Sequence, residues 1–84
     1  MIDFAEIKER ITLQEAARWL GFTPQSGFID CPFHQEKTPS LKLYENRFHC
    51  FGCGTSGDVL DFAAQVLGIS TVEAAQKLMA AFFA

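Results

Sequence analysis

The spacing of four side chains constrains this chain more than anything else in it: Cys31-x2-His34, then fifteen residues, then Cys50-x2-Cys53. Each x2 pair has the length of a tight turn that aims two donor atoms at one point. The residues between the pairs suffice for a hairpin that brings the turns together. Pro32 stiffens the first turn, and Gly52 and Gly54 ease the backbone around the second. Thiolate sulfur and imidazole nitrogen in a tetrahedron are the ligand set of zinc, and a shell filled by four protein donors leaves no position for water or substrate. The motif therefore reads as one structural, non-catalytic zinc ion held by Cys31, His34, Cys50 and Cys53. Length argues the same way: in 84 residues a single core supplies only about 3–5 kcal/mol. A structural zinc contributes on the order of 10 kcal/mol of apparent folding free energy. Three cysteines are also an odd number for a disulfide framework. The competing reading, a redox switch on Cys50 and Cys53, leaves Cys31 and His34 unexplained.

The pattern around the motif predicts an α+β fold, a small zinc-ribbon antiparallel sheet flanked by N- and C-terminal helices. One domain over 1–84 is expected, helical over 1–23, a zinc ribbon over 24–56 and helical again over 57–84. Asp3 is placed as the N-cap of a first helix. Thr12 with Glu15 is a capping box opening a second, whose apolar face is Leu13, Ala16, Ala17 and Leu20 and whose stop is Gly21. Trp19 is expected at the edge of the core and Arg18 in solvent. Phe28 to Asp30 reads as a short strand. Ser40–Tyr44 and Arg47–Cys50 alternate around Glu45-Asn46, a plausible two-residue turn. That turn pairs Tyr44 with Arg47, Leu43 with Phe48, Lys42 with His49 and Leu41 with Cys50. One face of the hairpin then holds Leu41, Leu43, Phe48 and Cys50, and the other Lys42, Tyr44, Arg47 and His49. By this alternation His49 points away from the metal. Residues 54–57 read as a loop, followed by a helix from Asp58 to about Leu67 burying Val59, Leu60, Phe62, Ala63 and Val66. Ser70 with Glu73 is a further capping box, opening a last helix through Met79. The apolar finish Ala81-Phe82-Phe83-Ala84 either docks back on the core or meets a partner.

The net charge is −3, but its distribution matters more than the sum. Residues 34–53 carry Lys37, Lys42 and Arg47 against Glu36 and Glu45, while both flanks are acidic. An anionic partner should therefore meet the middle of the chain. Lys37, Lys42 and Arg47, with the rings of Tyr44 and His49 between them, have the makings of a single-strand nucleic-acid platform, on which cations follow phosphates and rings stack bases. A solvated basic face is the plainer account of the same residues. No apolar run approaches the roughly 18 residues of a membrane span. The charged start MIDFAEIKER is unlike a secretory signal. The expected location is cytoplasmic, with no membrane partner.

The stretch Cys31-Pro32-Phe33-His34-Gln35-Glu36-Lys37-Thr38-Pro39-Ser40, then Phe48-His49-Cys50-Phe51-Gly52-Cys53-Gly54 and Gly57-Asp58, resembles the N-terminal zinc-binding domain of bacterial-type DNA primases. The resemblance covers both half-sites, the Glu-Lys-Thr-Pro-Ser segment, the Phe-Gly-Cys-Gly knuckle and Asp61-Phe62 of the following helix, over about residues 24–67. It implies a zinc ribbon flanked by helices, with Cys31, His34, Cys50 and Cys53 as ligands. It also implies a role in engaging single-stranded DNA template when primer synthesis begins in DNA replication. The basic residue of the Glu-Lys-Thr-Pro-Ser segment corresponds to Lys37, and aromatic and cationic sheet positions to Tyr44, Arg47 and Phe48. Of these, Phe48 falls on the core side by the pairing above.

Members of that family usually continue into an RNA polymerase domain with an acidic metal-binding cluster. Here Asp58 and Asp61 share one helix and read as its solvated first turn. The chain is therefore expected to be a non-catalytic part or accessory of a primase, a nucleotidyltransferase. It is either a fragment of a longer protein or a free-standing module. The expected partners are single-stranded DNA template and a primase polymerase domain, or a separate polymerase or helicase. The alternative is a protein-interaction zinc module that docks on such a polymerase or helicase through its aromatic face or apolar C-terminus. The acidic total predicts weak, salt-sensitive DNA affinity.

Overall fold

In the computed structural model, residues 3–33 and 39–83 are described. Among them are four helices and a four-stranded sheet, the α+β architecture expected. Helix α1 spans Phe4–Arg10 and α2 spans Leu13–Trp19. Strands β1 (Phe28–Ile29), β2 (Leu41–Leu43), β3 (Phe48–Cys50) and β4 (Ser56–Gly57) follow. Helices α3 (Val59–Leu67) and α4 (Thr71–Phe82) close the chain.

Each helix begins where a side chain can accept from an otherwise orphaned backbone N–H. Asp3 caps α1 through the Glu6 N–H at 3.2 Å. Thr12 and Glu15 form the reciprocal capping box on α2, with bonds of 3.1 and 2.9 Å. Helix α2 ends in a Schellman motif: the Phe22 N–H reaches the Ala17 carbonyl at 2.9 Å and the Gly21 N–H reaches Arg18 at 3.0 Å. This geometry requires the left-handed conformation that Gly21 adopts, φ 97°. Asp58 and Asp61, expected merely as a solvated turn, instead cap α3 reciprocally at 2.9 and 3.1 Å. Asp58 also pairs with Lys8 of α1 at 3.1 Å. At α4, Ser70 accepts from the Glu73 N–H, but the Glu73 carboxylate takes the Ser70 hydroxyl and not its backbone N–H. The expected box is therefore only half formed. Helix α4 also runs past Met79 to Phe82.

The sheet runs β1-β2-β3-β4, antiparallel throughout. The expected register of the central hairpin is the one observed, with Leu41 opposite Cys50, Lys42 opposite His49 and Leu43 opposite Phe48. The Tyr44 N–H donates to the Arg47 carbonyl at 2.8 Å, leaving Glu45-Asn46 as the turn. Two features had no counterpart in the sequence reading. Gln25 and Phe28 exchange both backbone bonds around Ser26 (φ 53°) and Gly27 (φ 81°), the left-handed pair of a type I′ turn that leads into β1. And Ser56-Gly57, expected as loop, pairs with His49 and Phe48 as β4.

The inner face of the sheet meets the helices. Leu41, Leu43, Phe48 and Cys50 are buried there together with Phe62 and Leu60 of α3, Leu78 of α4 and Ile7 of α1. Phe62 is the hub, with its ring centroid 5.3 Å from Phe48, 5.9 Å from Phe22 and 6.0 Å from Phe33. Such tilted and edge-on contacts are the favoured aromatic geometry. Of the predicted face of α3, Val66 is only half-buried and Ala64 takes its place inside. The C-terminal rings dock back on this core: Phe82 meets Trp19 edge-on at 6.0 Å, and Arg10 stacks over Phe83 at 4.6 Å. No helix among the described residues is long and apolar enough to cross a membrane.

Candidate metal centre and outer face of the sheet

Three elements deliver the three cysteines to one place. Cys31 follows β1, Cys50 ends β3, and Cys53 lies in the turn that carries β3 back to β4. That turn is tied at both ends. The Cys50 N–H donates to the Thr55 carbonyl and the Gly54 N–H to the Cys50 carbonyl, both at 2.8 Å. Gly54 can close it because its φ is 78°. The three sulfurs lie within 4.8 Å of one another, and none is in a disulfide. Cys31 Sγ and Cys53 Sγ are 3.8 Å apart. Two thiolates bonded at about 2.3 Å in a tetrahedron would stand roughly 3.8 Å from each other. The residues present therefore fit zinc, a soft-sulfur site whose geometry the backbone has already arranged. His34 lies outside the described residues.

Polar groups converge on the sulfurs as well. The Phe33 N–H points at Cys31 Sγ at 3.4 Å, the Ser40 hydroxyl lies 3.5 Å from Cys50 Sγ, and the Thr55 hydroxyl 3.1 Å from Cys53 Sγ. Burial pushes the Cys31 thiol up to about 12, the Phe33 amide opposing it and the neighbouring Cys50 and Cys53 sulfurs adding to it. Burial also raises Cys50, but the Ser40 hydroxyl, the Cys53 amide, the Cys31 thiol and the Gly52 amide all stabilise its thiolate and bring it down to about 6. Like-charged sulfurs this close resist ionising together. A divalent cation among them reverses that penalty and favours thiolate at every ligand.

On the opposite side of the sheet stand the cations and rings. Lys42 and His49 face each other across β2 and β3, and Tyr44 and Arg47 follow toward the turn, exposed. Tyr44, Glu45, Asn46, Arg47 and His49 line a shallow, open depression. Lys42 Nζ sits between two rings, 5.0 Å from Tyr44 and 5.7 Å from Phe28, a cation–π arrangement that holds the ammonium over the sheet. His49 packs edge-on against Phe51 at 4.7 Å, away from the sulfurs. Phe48 is fully buried against Phe62, so the DNA-facing role that the resemblance implied for it does not fit this fold. Lys37 lies outside the described residues. The sequence reading missed two rings on this face, Phe28 and Phe51. The signal for Phe51 was available, since period-two alternation puts 51 on the face of 49, whereas Phe28 joins Lys42 only through the pairing of β1 with β2.

The CHC2 zinc finger family matches residues 3–83. The chain belongs to that family. It binds zinc on this basis, and DNA primases are among its curated relatives. That of Rickettsia prowazekii (strain Madrid E) is 42% identical over 77 residues, covering 86% of this chain and 13% of the relative. That of Mycolicibacterium smegmatis is 39% identical over 84 residues, covering 90% of this chain and 13% of the relative. The primase of Geobacillus stearothermophilus is 50% identical over 52 residues, 60% of this chain and 9% of that protein. Among solved structures, the Aquifex aeolicus primase (zinc-binding and RNA polymerase domains) superimposes with a TM-score of 0.78 at 30% identity, over 93% of this chain and 21% of that one. The finger thus spans about one eighth of the length of the first two relatives. The resemblance seen in the sequence and the zinc-binding-domain fold are both established.

Proposed function

We propose that this chain is the template-engaging zinc module of a DNA primase. In this reading one zinc ion, held by Cys31, His34, Cys50 and Cys53, is structural. The three sulfurs leave one corner of a tetrahedron, and His34 supplies an imidazole three residues after Cys31. The ion performs no chemistry and fixes the end of the hairpin whose outer face does the work. Lys42, Tyr44, Arg47 and His49, with Lys37 of the Glu-Lys-Thr-Pro-Ser segment, contact single-stranded DNA. The cations follow phosphates and the rings take bases. The module acts in the cytoplasm beside a primase polymerase domain, whether on the same chain or another.

The observation that carries this reading is the segregation of the sheet. Its inner face is wholly apolar and buried, while its outer face presents cations and rings that no core requires. A protein-interaction role resting on the apolar C-terminus loses its main support, because Phe82 and Phe83 pack on the core. Replacing Lys37, Lys42 and Arg47 together with alanine should weaken binding to an oligothymidylate. It should also flatten the dependence of log K on log salt by roughly two units, near 0.7 per lost phosphate contact on single strands. Zinc content should stay unchanged. Wild-type affinity and salt slope in that variant would refute the reading.

A further inference from the structure

Phe51 is the most exposed large apolar side chain among the described residues, at 64%. It lies between Cys50 and Cys53, so the backbone beneath it is fixed. Its own N–H donates to the Ser40 carbonyl at 2.8 Å, and the turn that follows is closed by the Gly54–Cys50 bond. The ring is therefore held in water by the same turn that gathers the sulfurs. Its neighbour is His49, in a T-shaped contact at 4.7 Å and 77°, which occupies at most one broad face of the Phe51 ring. Across β2 and β3 from His49 stands Lys42, itself held between the rings of Phe28 and Tyr44.

A rigid, apolar, planar group beside fixed cations is a poor match for a peptide surface of mixed shape. It is a good match for a flat heterocycle on an anionic backbone. We infer that Phe51 is a base-stacking station, taking one nucleobase of a single strand on its open face while Lys42 neutralises an adjoining phosphate. This rests on the template-engaging reading above and adds to it a site that recognises the base and not the charge. It also places a nucleotide directly over the metal turn, so that a bound strand should shield zinc from a competing chelator.

The test separates base from phosphate. Binding of the 84-residue zinc-loaded chain is measured by fluorescence anisotropy to an oligothymidylate and to an abasic oligomer of the same length and phosphate number. Phe51→Ala should lose about 5- to 140-fold on the oligothymidylate, the range of a single base–aromatic stack. Its salt slope and its affinity for the abasic oligomer should match wild type. Phe51→Trp should retain affinity, and Phe51→Leu, apolar but not planar, should lose most of it. If Phe51→Ala fails to hold zinc, the Trp and Leu variants carry the comparison. Equal affinity of the Leu, Ala and wild-type chains for oligothymidylate, or an equal loss on the abasic oligomer, overturns the stacking station while leaving the cationic face intact. A wild-type chain that binds neither oligomer overturns both readings together.

Discussion

Among the cysteines, Cys53 is the informative one because it is exposed. An exposed Cys→Ser exchange with no further role changes stability by about 0.5 kcal/mol or less. If Cys53 holds zinc, the same exchange removes a ligand from a site on which the fold of a small chain depends. Cys53→Ser should therefore lower zinc stoichiometry and reduce stability by several kcal/mol, read by metal analysis and thermal melting. Stripping the wild-type chain with a strong chelator should collapse the sheet signal in the same way. Full zinc content and an unshifted melting temperature in Cys53→Ser would remove it from the site. These residues were legible in the sequence because a ligand pair depends on local spacing, which a string of letters records directly. The contrast between Cys50 and His49 was legible for the same reason: neighbours on a strand point to opposite faces. What spacing did not disclose was the polar environment of the sulfurs, since Ser40 lies ten positions from Cys50.

At the level of elements, the junction of β4 with α3 couples a cap to an ion pair. The Asp58 carboxylate accepts the Asp61 N–H and pairs with Lys8. Gly57 just before it leaves no room for a side chain, since a Cβ there would stand 2.7 Å from the Asp61 carboxylate. Burial raises the Asp58 carboxyl, but the Asp61 amide and the Lys8 ammonium outweigh this and hold it below its ordinary value of 3.8. A depressed folded-state value means that the stabilisation is fully present above the unfolded value. It declines as the pH drops below about 4 and is gone beneath the folded value. Asp58→Ala should cost about 1 kcal/mol at neutral pH. It should also flatten the acid limb of the stability curve below about pH 4, as followed by urea unfolding at a series of pH values. An undiminished acid limb in that variant would show that Asp58 is not the titrating group. Asp58 as a helix start was readable from the sequence. Its pairing with Lys8, fifty positions earlier, was not, because that contact exists only once α1 packs beside α3.

On the scale of the whole molecule, the sheet and the helices are joined through Phe62. Its ring contacts Phe48 of β3, Phe22 after α2 and Phe33 beside Cys31, so the core and the metal turn share one side chain. Phe62→Ala should cost about 3–5 kcal/mol, the usual range for a fully buried phenylalanine. It should also weaken zinc retention, because Phe33 in the turn after Cys31 and Phe48 of β3 lose the surface they pack on. Denaturant unfolding and a chelator competition assay check the two effects, and a large stability loss with unchanged zinc retention would separate core from metal site. The sequence by itself determined the ligand spacing, the helix starts, the hairpin register and the division of the sheet into an apolar and a basic face. All of these follow from contacts or periodicities within a few residues. Tertiary structure alone decided that Ser56-Gly57 becomes a fourth strand. It also decided that Phe82 and Phe83 are taken up by Trp19 and Arg10, that Phe28 arrives opposite Lys42 and that the Phe51 ring is left uncovered. Each of these depends on which distant surface arrives opposite a residue, and burial is a property of the pair that meets, not of either segment alone.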